Sequence, residues 1–274
     1  MAAPPHDEDA GMQVCGPLLT RWPAPSGAPL ADSLPSIHAR WQYTLPCPDA
    51  RMLTVQVIAF ELERFSPDAF DLCNIACPDT IARSVRKRQA EYFFGRLAAC
   101  ESLRQQAWLP ADGIPQIAIG RSRAPVWPAQ SIGSISHTSR LAAAAVAAAD
   151  AWRGIGIDLE HIVDAGTHQA LLNTVVDHSE RLLLQSICRS TGCALDVLLT
   201  LVFSAKESLF KASFAKVGRY FDFSSARVVA LSLRDGWVRL QLCEHLCPEL
   251  PVGQQCEIGF GFVDPQTIMT YRVW

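Results

Sequence analysis

Asp158 and Glu160, in the apolar, β-branched run GIGIDLE (Gly154 to Glu160), stand two residues apart. On a strand that spacing sends both side chains off the same face of the sheet. Two carboxylates at a strand end make an oxygen-only site suited to Mg2+, a hard cation that keeps waters for a phosphate-bearing substrate. Taken alone, the pair reads as solvated acids closing a buried strand. A second group sharpens the picture. In FSAKESLFKA (Phe203 to Ala212), Glu207 and Lys211 lie four apart and share one helix face, with Lys206 beside Glu207. On an open surface such a pair contributes only about 0.2–0.5 kcal/mol. Here Phe203, Leu209, Phe210 and Ala212 flank it, and charges set among apolar residues mark a partly buried site.

Other polar groups suit an anion. Ser134, Ser136, His137 and Thr138 (in SISHTS) form a polar loop between two short strands, able to hydrogen-bond a phosphate. Arg88 and Arg96, two turns apart on a helix, make either a second anion site or a solvated basic face. Arg121 and Arg123, ahead of Pro125, add to it. Cys73 with Cys77, and Cys243 with His245 and Cys247, lack the usual zinc-ligand spacings and a matching second pair. The sequence holds no Gly-x-Ser-x-Gly elbow, Walker loop or dinucleotide fingerprint, which argues against serine hydrolases, P-loop NTPases and Rossmann enzymes.

The elements that must position these groups belong to a globular chain. It has 274 residues, 49% hydrophobic and 19% charged, with a formal net charge of -3. Disordered chains are less apolar, and a protein that binds nucleic acid by neutralising phosphates is distinctly basic. Neither nucleic acid nor membrane is an expected partner: the longest apolar run, Leu141 to Ala149, falls far short of the roughly 20 residues that span a bilayer. Ten dilute cysteines and an acidic, proline-bearing start without a secretory signal point to a reducing cytoplasm.

Nine of the eighteen prolines fall in the first 48 residues, which read as an extension, mobile or draped over the domain. Strands are expected at Met52 to Phe60, Ser131 to Ser136, Leu141 to Ala148 and Gly154 to Glu160, although the alanines of the third also suit a helix. A helix is expected from Asp79 to about Trp108, ended by Pro110 and Gly113, with two more at His178 to Thr191 and Ala194 to Lys216. Four further strands follow, near Ala226 to Leu233, Trp237 to Cys243, Cys256 to Val263 and Thr267 to Val273. This order gives an α+β class with two similar halves in pseudo-twofold relation. One spans 49–153 and the other 154–274.

Taken in order, these segments resemble the Sfp-type, or EntD-like, 4'-phosphopantetheinyl transferases. The resemblance rests on RKRQAEYFFGRLAA (Arg86 to Ala99), PVWP (Pro125 to Pro128), GSISHTSRLAAAAV (Gly133 to Val146), GIGIDLE and FSAKESLFKA, with GRYFDF (Gly218 to Phe223) typical of the EntD-like branch. It covers the chain from about residue 50 to the C-terminus. The resemblance implies transfer of the phosphopantetheine arm of coenzyme A (CoA) to a serine of an acyl, peptidyl or aryl carrier protein, as in siderophore, nonribosomal peptide or polyketide synthesis. Adenosine 3',5'-bisphosphate would leave. Asp158, Glu160 and Glu207 match the family's Mg2+ ligands, and Lys211 a phosphate-contacting lysine. Ser136, His137, Arg88 and Arg96, with Arg123 and Lys206, fall at CoA-binding positions, the 3'-phosphate side lying in the N-terminal half. For the proton acceptor, the family offers Glu180 in some members and the equivalent of Glu207 in others. Phe203 stands where many members have Trp. A monomer is expected. The competing readings are a non-catalytic CoA- or carrier-binding module, which the intact acids and lysine disfavour, and a metal-dependent phosphodiesterase.

Overall fold

The computed structural model describes residues 14–24, 34–106 and 116–274, and these divide into two compact units. Trp108, Pro110 and Gly113, expected at a helix end, lie outside the described residues. Among the described residues, no helix is long and apolar enough to cross a membrane.

The first unit, from Thr20 to Trp152, contains β1 (Trp22–Pro23), β2 (Ile37–Pro46), β3 (Met52–Phe60), α1 (Ala69–Leu72), α2 (Asp79–Ala82) and α3 (Arg86–Arg104). After these come β4 (Ala118–Ile119), β5 (Pro125–Val126), β6 (Ser131–His137) and β7 (Leu141–Ala148). Five strands form an antiparallel sheet in the order β1-β2-β3-β7-β6. The strand reading of the alanine-rich segment holds, and its reason is packing. Ala142 and Ala144 point into the core that α3 covers, where small side chains leave room for Phe93, Phe94 and Leu97. Phe94 stacks on Phe60 of β3 with ring centroids 4.2 Å apart. The expected single helix from Asp79 is two helices. Between them the hydroxyl of Ser84 donates to the Ile81 carbonyl, and the Gln89 amide donates to the carbonyls of Ala82 and Ser84, so side chains satisfy the chain end. Residues 37–46, expected within an extension, instead form a full strand of the sheet. Trp41, Tyr43 and Leu45 alternate inward along it, a period-2 signal that the nearby prolines obscured.

The second unit, from Arg153 to Trp274 with the segment up to Leu19, contains β8 (Ile155–His161), α4 (Ala165–Thr174), α5 (His178–Thr191), α6 (Leu195–Val217), β9 (Ala226–Ser232), β10 (Trp237–Leu242), β11 (Gln255–Asp264) and β12 (Thr267–Val273). Helix α4 was not expected from the sequence. The antiparallel sheet runs β8-β12-β11-β10-β9. Pro17 and Leu19 extend its backbone bonding: the Phe262 N–H donates to Pro17 and the Leu19 N–H to Phe262, each at 2.8 Å. Helix α6 lies on this sheet, and two glycines let its backbone touch β8. A Cβ at Gly154 would stand 1.9 Å from the Ala212 carbonyl oxygen, and one at Gly156 would stand 1.9 Å from the Ser208 carbonyl oxygen. Both neighbours are backbone and cannot swing aside. Gly156→Ala is therefore expected to lift α6, destabilising the chain by about 1–3 kcal/mol or more, as read by urea denaturation. Native stability in that variant would show that the seam tolerates a methyl group.

Candidate active site

Three carboxylates gather where β8 meets α6. Asp158 is 3% exposed, and its Oδ1 accepts from the Lys211 ammonium at 2.7 Å. The same ammonium donates to the Ile157 carbonyl at 3.2 Å. Burial, and after it the negative charge of Asp158, push the Glu160 carboxyl up to about 8; Lys211 pulls the other way and Glu207 adds to the rise. Glu207 is raised by burial and by Asp158, with Lys211 again opposing. Strand alternation puts Asp158 and Glu160 on the face that α6 covers, as their spacing required, while Ile157 and Leu159 fill the opposite face.

Among the described residues, no three His, Cys, Asp or Glu side chains are drawn into one coordination group. Lys211 stands on Asp158 instead. The chemistry of the donor set still fits a hard dication, because it is oxygen-only and brings three carboxyls to one ammonium. Beside Glu207 opens a cavity of about 250 Å³, walled chiefly by Leu209, Phe210, Tyr220, Phe221 and Phe223.

Glu180 and Lys206 pair with each other. Glu180 is 2% exposed. One carboxylate oxygen accepts from the Asp177 N–H at 2.8 Å, completing a capping box at the start of α5. The other accepts from the Val228 N–H at 2.7 Å and from the Lys206 ammonium at 2.8 Å. Lys206 borders the cavity, yet its three ammonium protons are committed to Glu180 and to the carbonyls of Val175, at 2.6 Å, and Phe223, at 3.1 Å. Burial pushes the ammonium below its usual value, and the Glu180 charge partly offsets this. Both oxygens of Glu180 and all three protons of Lys206 are thus engaged within the unit. Together they are an internal tie between α5, α6 and β9.

The candidate anion groups lie in the first unit. Arg88 on α3 and His137 at the end of β6 meet, with Nη1 of Arg88 3.2 Å from Nε2 of His137. For the guanidinium to donate there, the ring must be neutral with its proton on Nδ1. Ser136 is buried one residue earlier. Arg96 is buried as well: its Nε donates to the Ile117 carbonyl at 2.8 Å and its guanidinium lies over the Tyr92 ring. Arg123 is exposed on a tight turn between β4 and β5, with left-handed backbone (φ 62). Arg88 and His137 thus meet, while strand alternation turns Ser136 to the opposite face of β6.

Residues 78–147 match the 4'-phosphopantetheinyl transferase N-terminal domain, and residues 154–254 match the 4'-phosphopantetheinyl transferase superfamily. Enterobactin synthase component D of Salmonella typhi is 32% identical over 178 residues, 65% of this chain and 69% of that protein. The same component from Escherichia coli (strain K12) is 41% identical over 128 residues, 47% of this chain and 56% of its own length. The 4'-phosphopantetheinyl transferase PptT of Mycobacterium tuberculosis is 34% identical over 163 residues, covering 57% and 65%. The chain belongs to the 4'-phosphopantetheinyl transferase superfamily.

It is a transferase of the Sfp/EntD type, acting on carrier proteins. Sequence reasoning singled out the acids that gather at this seam, but it missed what holds them. The glycines of GIGIDLE were part of a motif without a physical role, and Ser204, Ser208 and Thr270 drew no notice. The signal available was the Gly-x-Gly itself, because glycine inside an apolar strand marks close backbone approach.

In the transferase, Lys206→Met or Glu180→Ala leaves a buried charge without its partner, at an expected cost of about 3–5 kcal/mol in denaturant unfolding. Glu180→Gln should likewise lose stability while keeping the native pH dependence of transfer. Native stability together with a lost acidic limb would restore Glu180 as the base.

Proposed function

We propose that the enzyme transfers the 4'-phosphopantetheine arm of CoA to the serine of an apo carrier protein with Mg2+, releasing adenosine 3',5'-bisphosphate. The observation that carries this reading is the meeting of Asp158, Glu160 and Glu207 with Lys211 at the β8 and α6 seam. Asp158, Glu160 and Glu207 would hold the metal. Bound there, Mg2+ supplies charge neutralisation at the CoA pyrophosphate. Lys211 donates to a phosphate oxygen and steadies the leaving bisphosphate. Glu207, with its carboxyl raised above the usual glutamate range, takes the serine proton once Glu180 is set aside. The apolar cavity beside Glu207 suits the dimethyl carbon next to the phosphate of the arm. On this reading Arg88 and His137, which meet at the end of β6, are the candidate groups for the 3'-phosphate, with Arg96 and Ser136 in the same unit. The names of the enterobactin synthase relatives favour a carrier of siderophore assembly.

The deciding experiment incubates the enzyme with CoA, Mg2+ and a panel of apo carrier proteins, and reads intact mass. One added phosphopantetheine on a carrier is the expected result; carriers unmodified at every metal concentration would reject the reading. Dephospho-CoA should be used much less well than CoA, because charge-assisted bonds to the 3'-phosphate are lost.

A pH dependence follows from Glu160. Its carboxyl sits near 8 in the folded chain against an ordinary value of 4.5. Between those values the folded state keeps a proton that the unfolded state has released, so the metal-free protein loses stability as pH rises through that window. A dication among the acids removes that penalty. The rise in Tm on adding Mg2+ is therefore expected to grow from about pH 5 to pH 8, as thermal denaturation with and without the metal would show. A rise of constant size would contradict it.

A further inference from the structure

Next to the acids, three buried hydroxyls form a closed cluster that the reading above does not use. Thr270 lies on β12 directly opposite Asp158 on β8, so the two side chains share the sheet face that α6 covers. Thr270 Oγ1 stands 2.9 Å from Ser204 Oγ and 2.7 Å from Ser208 Oγ, and it donates to the Ser204 carbonyl at 2.8 Å. All three residues are 0% exposed.

The proton count leaves one arrangement. A hydroxyl has one proton and two lone pairs. Thr270 gives its proton to the Ser204 carbonyl, so both serine hydroxyls must donate into Thr270. Every lone pair and proton of that oxygen is used. Such a cluster behaves unlike an apolar contact. Methyl groups slide past one another at little cost, whereas displacement of α6 along the sheet would break bonds between fully buried groups. Ser204, Ser208 and Lys211 are spaced four and then three along α6, so the hydroxyls and the ammonium bear on the sheet from one helix face.

We propose that Thr270 is a positioning residue that fixes the axial register of α6, through Ser204 and Ser208, so that Glu207 and Lys211 meet Asp158. This rests on the metal-site reading given above. Thr270→Val keeps the shape of the side chain and removes the hydroxyl, leaving two buried serine protons without their acceptor. Thr270→Ser keeps it. Calorimetric titration with Mg2+ alone should show Thr270→Val binding on the order of tenfold more weakly, with Thr270→Ser close to native. The combination Thr270→Val, Ser204→Ala and Ser208→Ala removes the cluster with no orphaned group. It should regain thermal stability but not Mg2+ affinity. Recovery of both would make the hydroxyls merely structural and overturn the proposal, as would native Mg2+ affinity in Thr270→Val. Should Thr270→Val fail to fold, the triple variant carries the same comparison.

A metal-free measurement separates this proposal from the reading beneath it. In a double-mutant cycle of Thr270→Val with Lys211→Met, read by urea denaturation, the two losses should fail to add, since both act through the seating of α6 on β8. Additive losses would refute the register role. Asp158→Ala tests the metal site on its own: native Mg2+ binding and transfer there would remove the metal site, while the cycle would still decide what Thr270 does.

Discussion

Helix α6 rests on β8 because Gly154 and Gly156 carry no side chains, and the geometry of the candidate site follows from that closeness. A Cβ at Gly156 would fall 2.6 Å from the Ala212 nitrogen as well as 1.9 Å from the Ser208 carbonyl oxygen. At this separation one ammonium, Lys211, reaches both the Asp158 carboxylate and the Ile157 carbonyl of the strand beneath. The same separation lets a threonine of β12 reach two serines of the helix. The C-terminal Trp274 is part of the arrangement, since its indole N–H donates to the Ala212 carbonyl at 2.9 Å. A methyl group at either glycine would lengthen all of these bonds together.

Lys206 and Glu207 are neighbours in sequence with opposite fates, and helix geometry is the reason. Successive side chains are turned by about 100°. Lys206 enters the interior, where Glu180 and two carbonyls receive it, while Glu207 faces the acids and the aromatic cavity. The buried pair is costly to desolvate and is weak evidence of net stability in itself. Its four partners nevertheless come from separate pieces of chain: the start of α5, the end of the α4 segment, the turn before β9, and β9 itself. An apolar pair would hold these pieces with less directional constraint.

The class of fold and most of its strands were legible because short apolar, β-branched runs between turn residues announce them, as at Met52–Phe60 and across β9 to β12. Spacing paired Asp158 with Glu160 and Glu207 with Lys211, because it fixes which face a side chain leaves, and the family resemblance joined the two pairs. What escaped were facts of three-dimensional packing. Strand β2 was hidden among prolines, and α4 lacked a strong apolar stripe. Glu180 looked free in sequence; only the approach of Val228 and Lys206 shows its oxygens to be occupied. Partners drawn from 26 and 48 positions away leave no local signal.

Buried carboxyls set close together are an unfavourable thing to build, and Glu160 and Glu207 are raised first by burial and then by the charge of Asp158. Left to itself, such a site would relax by spreading its charges apart. Here the surrounding structure removes that freedom by several independent means. Backbone contact at two glycines sets the depth of α6, and the saturated hydroxyls resist its sliding. The ion pair of Glu180 and Lys206 fastens its middle. The carboxyls are therefore held close together, and a cation bound among them would relieve their repulsion. Rigidity of the seam and affinity for such a ligand are in this sense one property, because a site able to relax its own repulsion would gain less from binding.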